Sequence, residues 1–211
     1  MNPEIRQAAA NFPGGKLPEA LFRFYEFLTA DKPSGFLDYE TITDGKTYLS
    51  SLLNENMLQE FIPFYVENRH DCYSIWLSDP AKKIEELPVM FNDTKGIYII
   101  CAADFNEFLF LLSKNIIGDA ASAWSIYDMM TKMGVPVASP LETYTEEVLT
   151  GRDTENQKTY EDYGAFASFV KNTMGIDYEN PIRLMANARE KYPDMVSYIR
   201  SKKGFAIDPK G

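Results

Sequence analysis

The chain has 211 residues, 45% apolar and 25% charged, enough to bury one substantial core and outside the range of disordered chains. A formal net charge of −10 argues against nucleic acid as a partner, because a phosphate backbone would be repelled, and it suits a basic protein partner. No apolar run approaches the ~20 residues that cross a bilayer, and residues 1–15 lack the basic-then-apolar order of a secretory leader, so the expectation is a cytoplasmic protein with no membrane association.

Residues 1–15 read as a short helix or arm ended by Pro13-Gly14-Gly15. The next segment places Leu17, Leu21, Phe24, Tyr25 and Leu28 at helical spacing, with Pro18 and Glu19 where a first turn favours them. Asp31-Lys32-Pro33-Ser34-Gly35 ends that helix. Phe36 to Ile42 is compatible with a strand, Thr43-Asp44-Gly45-Lys46 with a turn, and Thr47 to Met57 with a helix striped by Leu49, Leu52 and Leu53.

Four β-type runs follow. Phe61 to Val66 is nearly all apolar, as expected of a strand buried on both faces or bent at Pro63. Asn68-Arg69-His70-Asp71 is a polar hairpin loop. Cys72 to Leu77 sets Tyr73, Ile75 and Leu77 on one side and Cys72, Ser74 and Trp76 on the other. Leu87 to Phe91 is a third strand, and Asn92 to Gly96 has turn chemistry, with Gly96 suited to positive φ. The β-branched run Ile97 to Ala102 is expected as a fourth and central strand.

Asp104 stands near an N-cap position for a helix carrying Phe105, Phe108, Leu109 and Leu112. A further helix, from about Ala120 to Met133, carries Trp124, Tyr127, Met129, Met130 and Met133. A methionine-rich face can be an adaptable binding groove or core filling, and core filling is the commoner use. Residues 141–162 hold seven acids against two bases and read as a solvated surface helix or linker, with a partner site as the rival reading. Helices near 162–174, 179–192 and 194–203 complete the chain.

Chemistry-bearing motifs are sparse. His70 lies beside Asp71, but neighbours in an extended loop point different ways and no nucleophile accompanies them. One histidine with the separated Cys72 and Cys101 does not make a zinc site, and the two cysteines read as buried free thiols. Gly14-Gly15-Lys16 lacks the rest of a phosphate loop, and the Asp71 and Asn92-Asp93 loops lack calcium-loop spacing. No catalytic, cofactor-binding or metal-ligating residue is therefore assigned. The expectation is a protein that is not an enzyme, uses no cofactor and acts by surface recognition; a cleft holding two carboxyls ~5–10 Å apart would reopen hydrolysis.

The order of the helix 17–28, Ile62-Pro63-Phe64, the run Asp71 to Asp79, Pro88-Val89 and Asp104-Phe105-Asn106-Glu107-Phe108-Leu109 resembles the SUKH superfamily over residues 17–115. Ala103-Asp104 stand where that family often has a serine, and Asp31 to Gly35 is a faint version of its glycine-rich segment. The resemblance implies an α+β fold with a single bent antiparallel sheet flanked by helices over residues 1–118. Residues 119–211 would be a helical C-terminal extension packed on or linked to that core.

In function the resemblance implies a binding module. Many SUKH proteins are thought to be bacterial immunity proteins that neutralise a toxin, and others are regulators of cell-wall synthesis in fungi. On the immunity reading the partner is a basic toxin domain met by the sheet face and hairpin loops. Candidate protein-binding residues are Tyr65, Glu67, Asp71, Trp76, Asp79 and Asp93, with aromatics as anchors and carboxylates as complements to a basic surface. The alternative is a regulatory or scaffold protein that binds a host protein through its helical C-terminal part.

Overall fold

Local chemistry sets each element before packing joins them. The computed structural model describes residues 2–30, 39–40, 53, 55–67, 71–93, 97–143, 164–192 and 194–202. Helix α1 (Pro3–Ala9) starts where the Asn2 side chain accepts the Glu4 N–H. A 3₁₀ turn, Pro13–Gly15, then reverses the chain through Gly14 and Gly15 at φ of +69° and +64°, a region that side chains with a Cβ rarely enter. Helix α2 (Glu19–Thr29) buries Leu21, Phe24, Tyr25, Phe27 and Leu28, the stripe its spacing predicts with Phe27 added.

Among the described residues five strands form one antiparallel sheet in the order β1-β2-β3-β4-β5. They are β1 (Tyr39–Glu40), β2 (Phe61–Glu67), β3 (Asp71–Trp76), β4 (Val89–Asn92) and β5 (Tyr98–Ala102). A short helix α3 (Glu55–Leu58) precedes β2. Beyond the sheet come α4 (Phe105–Ser113), α5 (Ile117–Lys132), α6 (Pro140–Thr143) and α7 (164–173), whose second half, Phe169–Thr173, is wound as a π-helix. Helices α8 (Pro181–Lys191) and α9 (Met195–Lys202) follow. The fold class is α+β.

Two bulges shape the sheet. The β2–β3 register shifts between Pro63 and Tyr65, so Phe64 is the extra residue. Phe64 and Tyr65 therefore both enter the same core, which explains why the run lacks alternation. The Phe64 carbonyl accepts a hydrogen bond from the buried Tyr25 hydroxyl on α2. A second shift, in β4–β5, makes Cys101 the extra residue of β5.

Both faces of the sheet are covered. On one, Ile62, Tyr65, Tyr73, Val89, Phe91 and Ile99 pack with α2, α4, α5, α7 and α8; Phe24 is the hub, with ring centroids 5.5 Å from Tyr65 and 5.8 Å from Phe166. On the other, Phe61, Val66, Cys72, Trp76, Met90 and Ile100 pack against Leu53, Met57, Ala188, Met195 and Ile199. Residues beyond 118 thus help build both cores, Trp124, Phe166 and Met185 the first and Met195 and Ile199 the second.

Three expectations change. Among the described residues the run 97–102 is an edge strand, not a central one: β3 holds the middle, and β-branched composition suits either place. The sheet offers no free face to a partner, because α3, α8 and α9 cover the side away from α4. Of the methionines read as core filling, Met129 and Met133 are exposed instead, as shown below, and Met130 is half-buried. Cys72 and Cys101 are free, and they fall in cores on opposite sides of the sheet.

Several expected features lie outside the described residues: most of the strand 36–42, the turn 43–46, most of the helix 47–57, the hairpin tip 68–70 with His70, the turn 94–96 and the acidic stretch 144–162. Among the described residues no helix is long and apolar enough to cross a membrane.

Candidate partner-binding surface

Helix α5 carries two apolar stripes that are out of phase. Ile117, Ala120, Ala121 and Trp124 recur at three and four residues and are buried. That stripe continues at Tyr127, half-buried against the core with its ring 5.7 Å from Trp124, and ends at Thr131, which is exposed. A second set, Ile126, Met129 and Met133, again at three and four, lies on the outward side and is 55%, 53% and 68% exposed. Val135 and Val137 extend them into the next loop. These five are all the large apolar side chains exposed among the described residues, and they fall within the single segment 126–137. A face of this kind marks a contact site more often than scattered apolar residues do, and methionine side chains adapt readily to a partner's shape.

A groove of about 430 Å³ runs beside this face. One wall is α5 and its C-cap, through Met129 and Met133; the other is α9, through Val196 and Arg200; the floor is Ile97, Tyr98, Ile99 and Ile100. Successive strand residues point to opposite faces. Ile99 and Ile100 are 6% and 2% exposed, so they form only the closed base of the groove.

Ion pairs tie the walls together. The Arg189 guanidinium, stacked 4.2 Å from the centre of the Trp124 ring, donates to Asp128 Oδ2 at 2.6 Å and joins α8 to α5. Lys132 Nζ lies 3.1 Å from Asp194 Oδ2 and joins the end of α5 to the start of α9. Partial burial pushes the Asp194 carboxyl up, but hydrogen bonds from Ser197, Lys132 and the Val196 N–H outweigh it and hold the group below its ordinary range. Arg200 forms no ion pair among the described residues.

The residues expected to bind a partner do not converge. Tyr65 is 1% exposed and packs against Tyr73 and Phe108 in the first core. Trp76 is 6% exposed and lies against Tyr192 and Tyr198, which close the second core over it. Neither ring can anchor a partner, because helices occupy both faces. Asp93 is nearly buried, and its Oδ1 accepts the Ile97 N–H at 2.9 Å, which closes the β4–β5 turn. Asp79 is half-buried and its Oδ1 accepts the Ala81 N–H at 2.9 Å, an Asx turn. The backbones of Glu67 and Asp71 pair at the end of the β2–β3 hairpin; their side chains lie outside the described residues.

The exposed face was half-visible in the sequence. Ile126 and Met129 stand off the side that carries Trp124 and Tyr127, so α5 has two apolar sides, but only packing reveals which one faces outward. Burial pushes the Cys72 thiol up to about 12 and raises that of Cys101 as well, so both stay protonated near neutral pH. Asp128 and Asp194 each already hold a cation.

No family model, no curated protein and no solved structure matches the chain.

Proposed function

We propose that this protein is a non-catalytic protein-binding module whose partner docks on the outward face of α5 and the groove beside it. The observation that carries this reading is the confinement, among the described residues, of the large exposed apolar side chains to residues 126–137. Fully burying one such side chain is worth roughly 1.5–3 kcal/mol, and a handful of well-packed residues commonly dominates an interface.

The finer reading is an intracellular immunity protein that neutralises a basic toxin domain. The SUKH-like order of motifs supports it, as does the charge of −10, which would speed encounter with a cationic partner. The rival reading, a regulator or scaffold binding a host protein through its helical C-terminal part, draws support from the place of the exposed face on α5.

A photo-crosslinking residue at Met129, with a control at Glu4 on α1, would trap the partner in cells for identification by mass spectrometry. With that partner purified, Met129→Asp combined with Met133→Asp should weaken binding by about 100-fold or more while leaving the melting temperature in place. Undiminished binding by the double variant overturns the placement. Expression of the partner alone separates the finer readings: growth arrest relieved by this chain supports toxin neutralisation, and a harmless partner supports regulation.

A further inference from the structure

Among the described residues, the groove beside α5 offers a partner side chains rather than backbone. Ile99 and Ile100 are 6% and 2% exposed, and α8 packs on β5 from both cores, through Met185 and Ala186 in the first and Ala188 in the second. The strand therefore gives an incoming chain no edge to pair with. An extended segment laid on Met129 and Met133 would cover part of its own backbone with apolar side chains that offer it no hydrogen bonds. Each polar group so shut off from water carries a cost. A helix arrives with its backbone already paired.

The shape of the face suits a helix too. Ile126, Met129 and Met133 make one ridge at a spacing of three and four, about 10 Å or two helical turns long. Ridges of this spacing pack into the grooves of a second helix, and methionine adapts to the side chains that helix brings. Charge narrows the occupant further. Of the groove's cations, Lys132 and Arg189 are held by Asp194 and Asp128, whereas Arg200 on the opposite wall has no carboxylate among the described residues. The groove thus holds an unanswered positive charge on a chain that carries −10 overall. A second copy would bring another −10 to the same place, which favours a different protein as occupant.

We propose that this face takes an amphipathic helix of a partner protein, its apolar stripe laid along Ile126, Met129 and Met133 and a carboxylate beside that stripe paired with Arg200. This rests on the protein-binding reading above and commits it to helix docking. The partner helix lies on the rim and only its side chains enter the groove, so the Lys132–Asp194 bridge between the walls stays closed.

The test uses the full chain, labelled with ¹⁵N, and three synthetic probes at about 0.15 M salt, where charges more than ~8 Å apart are largely screened. The first is a capped peptide held helical by a side-chain crosslink, with a leucine stripe at three-and-four spacing flanked by glutamates. The second replaces the glutamates with lysines. The third is the acidic peptide without its crosslink and with prolines that forbid a helix. The acidic helix should shift the amides of Ile126, Met129, Met133, Val196 and Arg200. Met129→Asp with Met133→Asp should abolish its binding, and Arg200→Ala should weaken it by about fivefold and flatten its salt dependence. The chain's charge of −10 attracts the lysine helix at long range, so a preference for the acidic one isolates Arg200. Equal binding of the lysine helix or of the proline peptide overturns the proposal, as does an absence of binding by the acidic helix at millimolar concentration. So does a concentration-dependent dimer of the free chain that shifts the same amides, which indicates a second copy. If the acidic helix fails but Met129→Asp with Met133→Asp still releases the crosslinked partner, helix docking falls and the binding face stands. If the double variant also has no effect, both fall.

Discussion

Tyr25 and Phe64 show how a single hydroxyl can hold a strand irregularity in place. Pro63 has no N–H, the ladder slips beside it, and the Phe64 carbonyl inside the core takes the Tyr25 hydroxyl. Burial drives the Tyr25 phenol well above its ordinary range, since a phenolate there would be stranded among aromatic rings. Tyr25→Phe keeps the ring and removes the donor, so a buried carbonyl loses its partner. A loss of about 1–3 kcal/mol is expected, read as a lower urea midpoint with unchanged m-value. The thiols make a second prediction at this scale. Cys72 ionises near 9.0 when unfolded and near 12 in the fold. Between those values the unfolded chain binds fewer protons than the folded one, so stability is complete below about pH 9 and falls as pH rises, by about 1.4 kcal/mol per unit for this thiol. Cys72→Ala should remove that share of the alkaline slope. Equal slopes in both proteins would mean the thiol is not buried in solution.

Among the elements, α4 illustrates what local chemistry can specify. Asp104 Oδ1 accepts the Glu107 N–H at 2.9 Å, and Glu107 Oε2 accepts the Ala103 N–H at 2.8 Å, so two donors at the helix start are satisfied by the residues that open it. Asp104→Ala should cost about 1 kcal/mol, measurable by thermal or urea unfolding. Helix α5 behaves differently, since the fold leaves Ile126 and Met129 on its outward side unused. Met129→Asp should therefore change stability by less than about 0.5 kcal/mol while acting on partner binding. A large drop in melting temperature would show that Met129 is a packing residue. Strand β5 is the third instructive element. Its composition reads as an interior strand, and it is nonetheless at the edge, buried over part of its length by α8 and α9.

For the whole molecule, the decisive fact is that helices from the far end of the chain complete both cores. Phe166 on α7 lies 5.8 Å from Phe24 and 5.3 Å from Phe27. Met195 and Ile199 on α9 close the second core with Ala188 of α8. Tyr198 also donates to Glu60 beside β2, and Lys202 pairs with the same carboxylate at 3.2 Å, so the last helix is tied back to the sheet. A chain ended after residue 180 would leave Val66, Trp76, Met90 and Ile100 facing water. It should bind a hydrophobic dye and lose its cooperative unfolding transition. A truncated chain that melts cooperatively and ignores the dye would show that the second core is dispensable.

Much of the architecture was open to reading because it is encoded over short distances. The alternation in Cys72 to Leu77 sorts those side chains onto the two sheet faces as observed, and the α2 stripe and the Asp104 cap are fixed by neighbours a few residues away. The binding face is another matter. Tyr65 and Trp76 have the composition of interface anchors, and only the packing of α4 on one side and of α8 and α9 on the other makes them core. Met129 and Met133 have the composition of core residues, and they are outside because the Ala120, Ala121 and Trp124 stripe wins the contact with the core. Local pattern determines which residues share a face; which face meets water depends on segments a hundred residues apart, and no short window contains that competition.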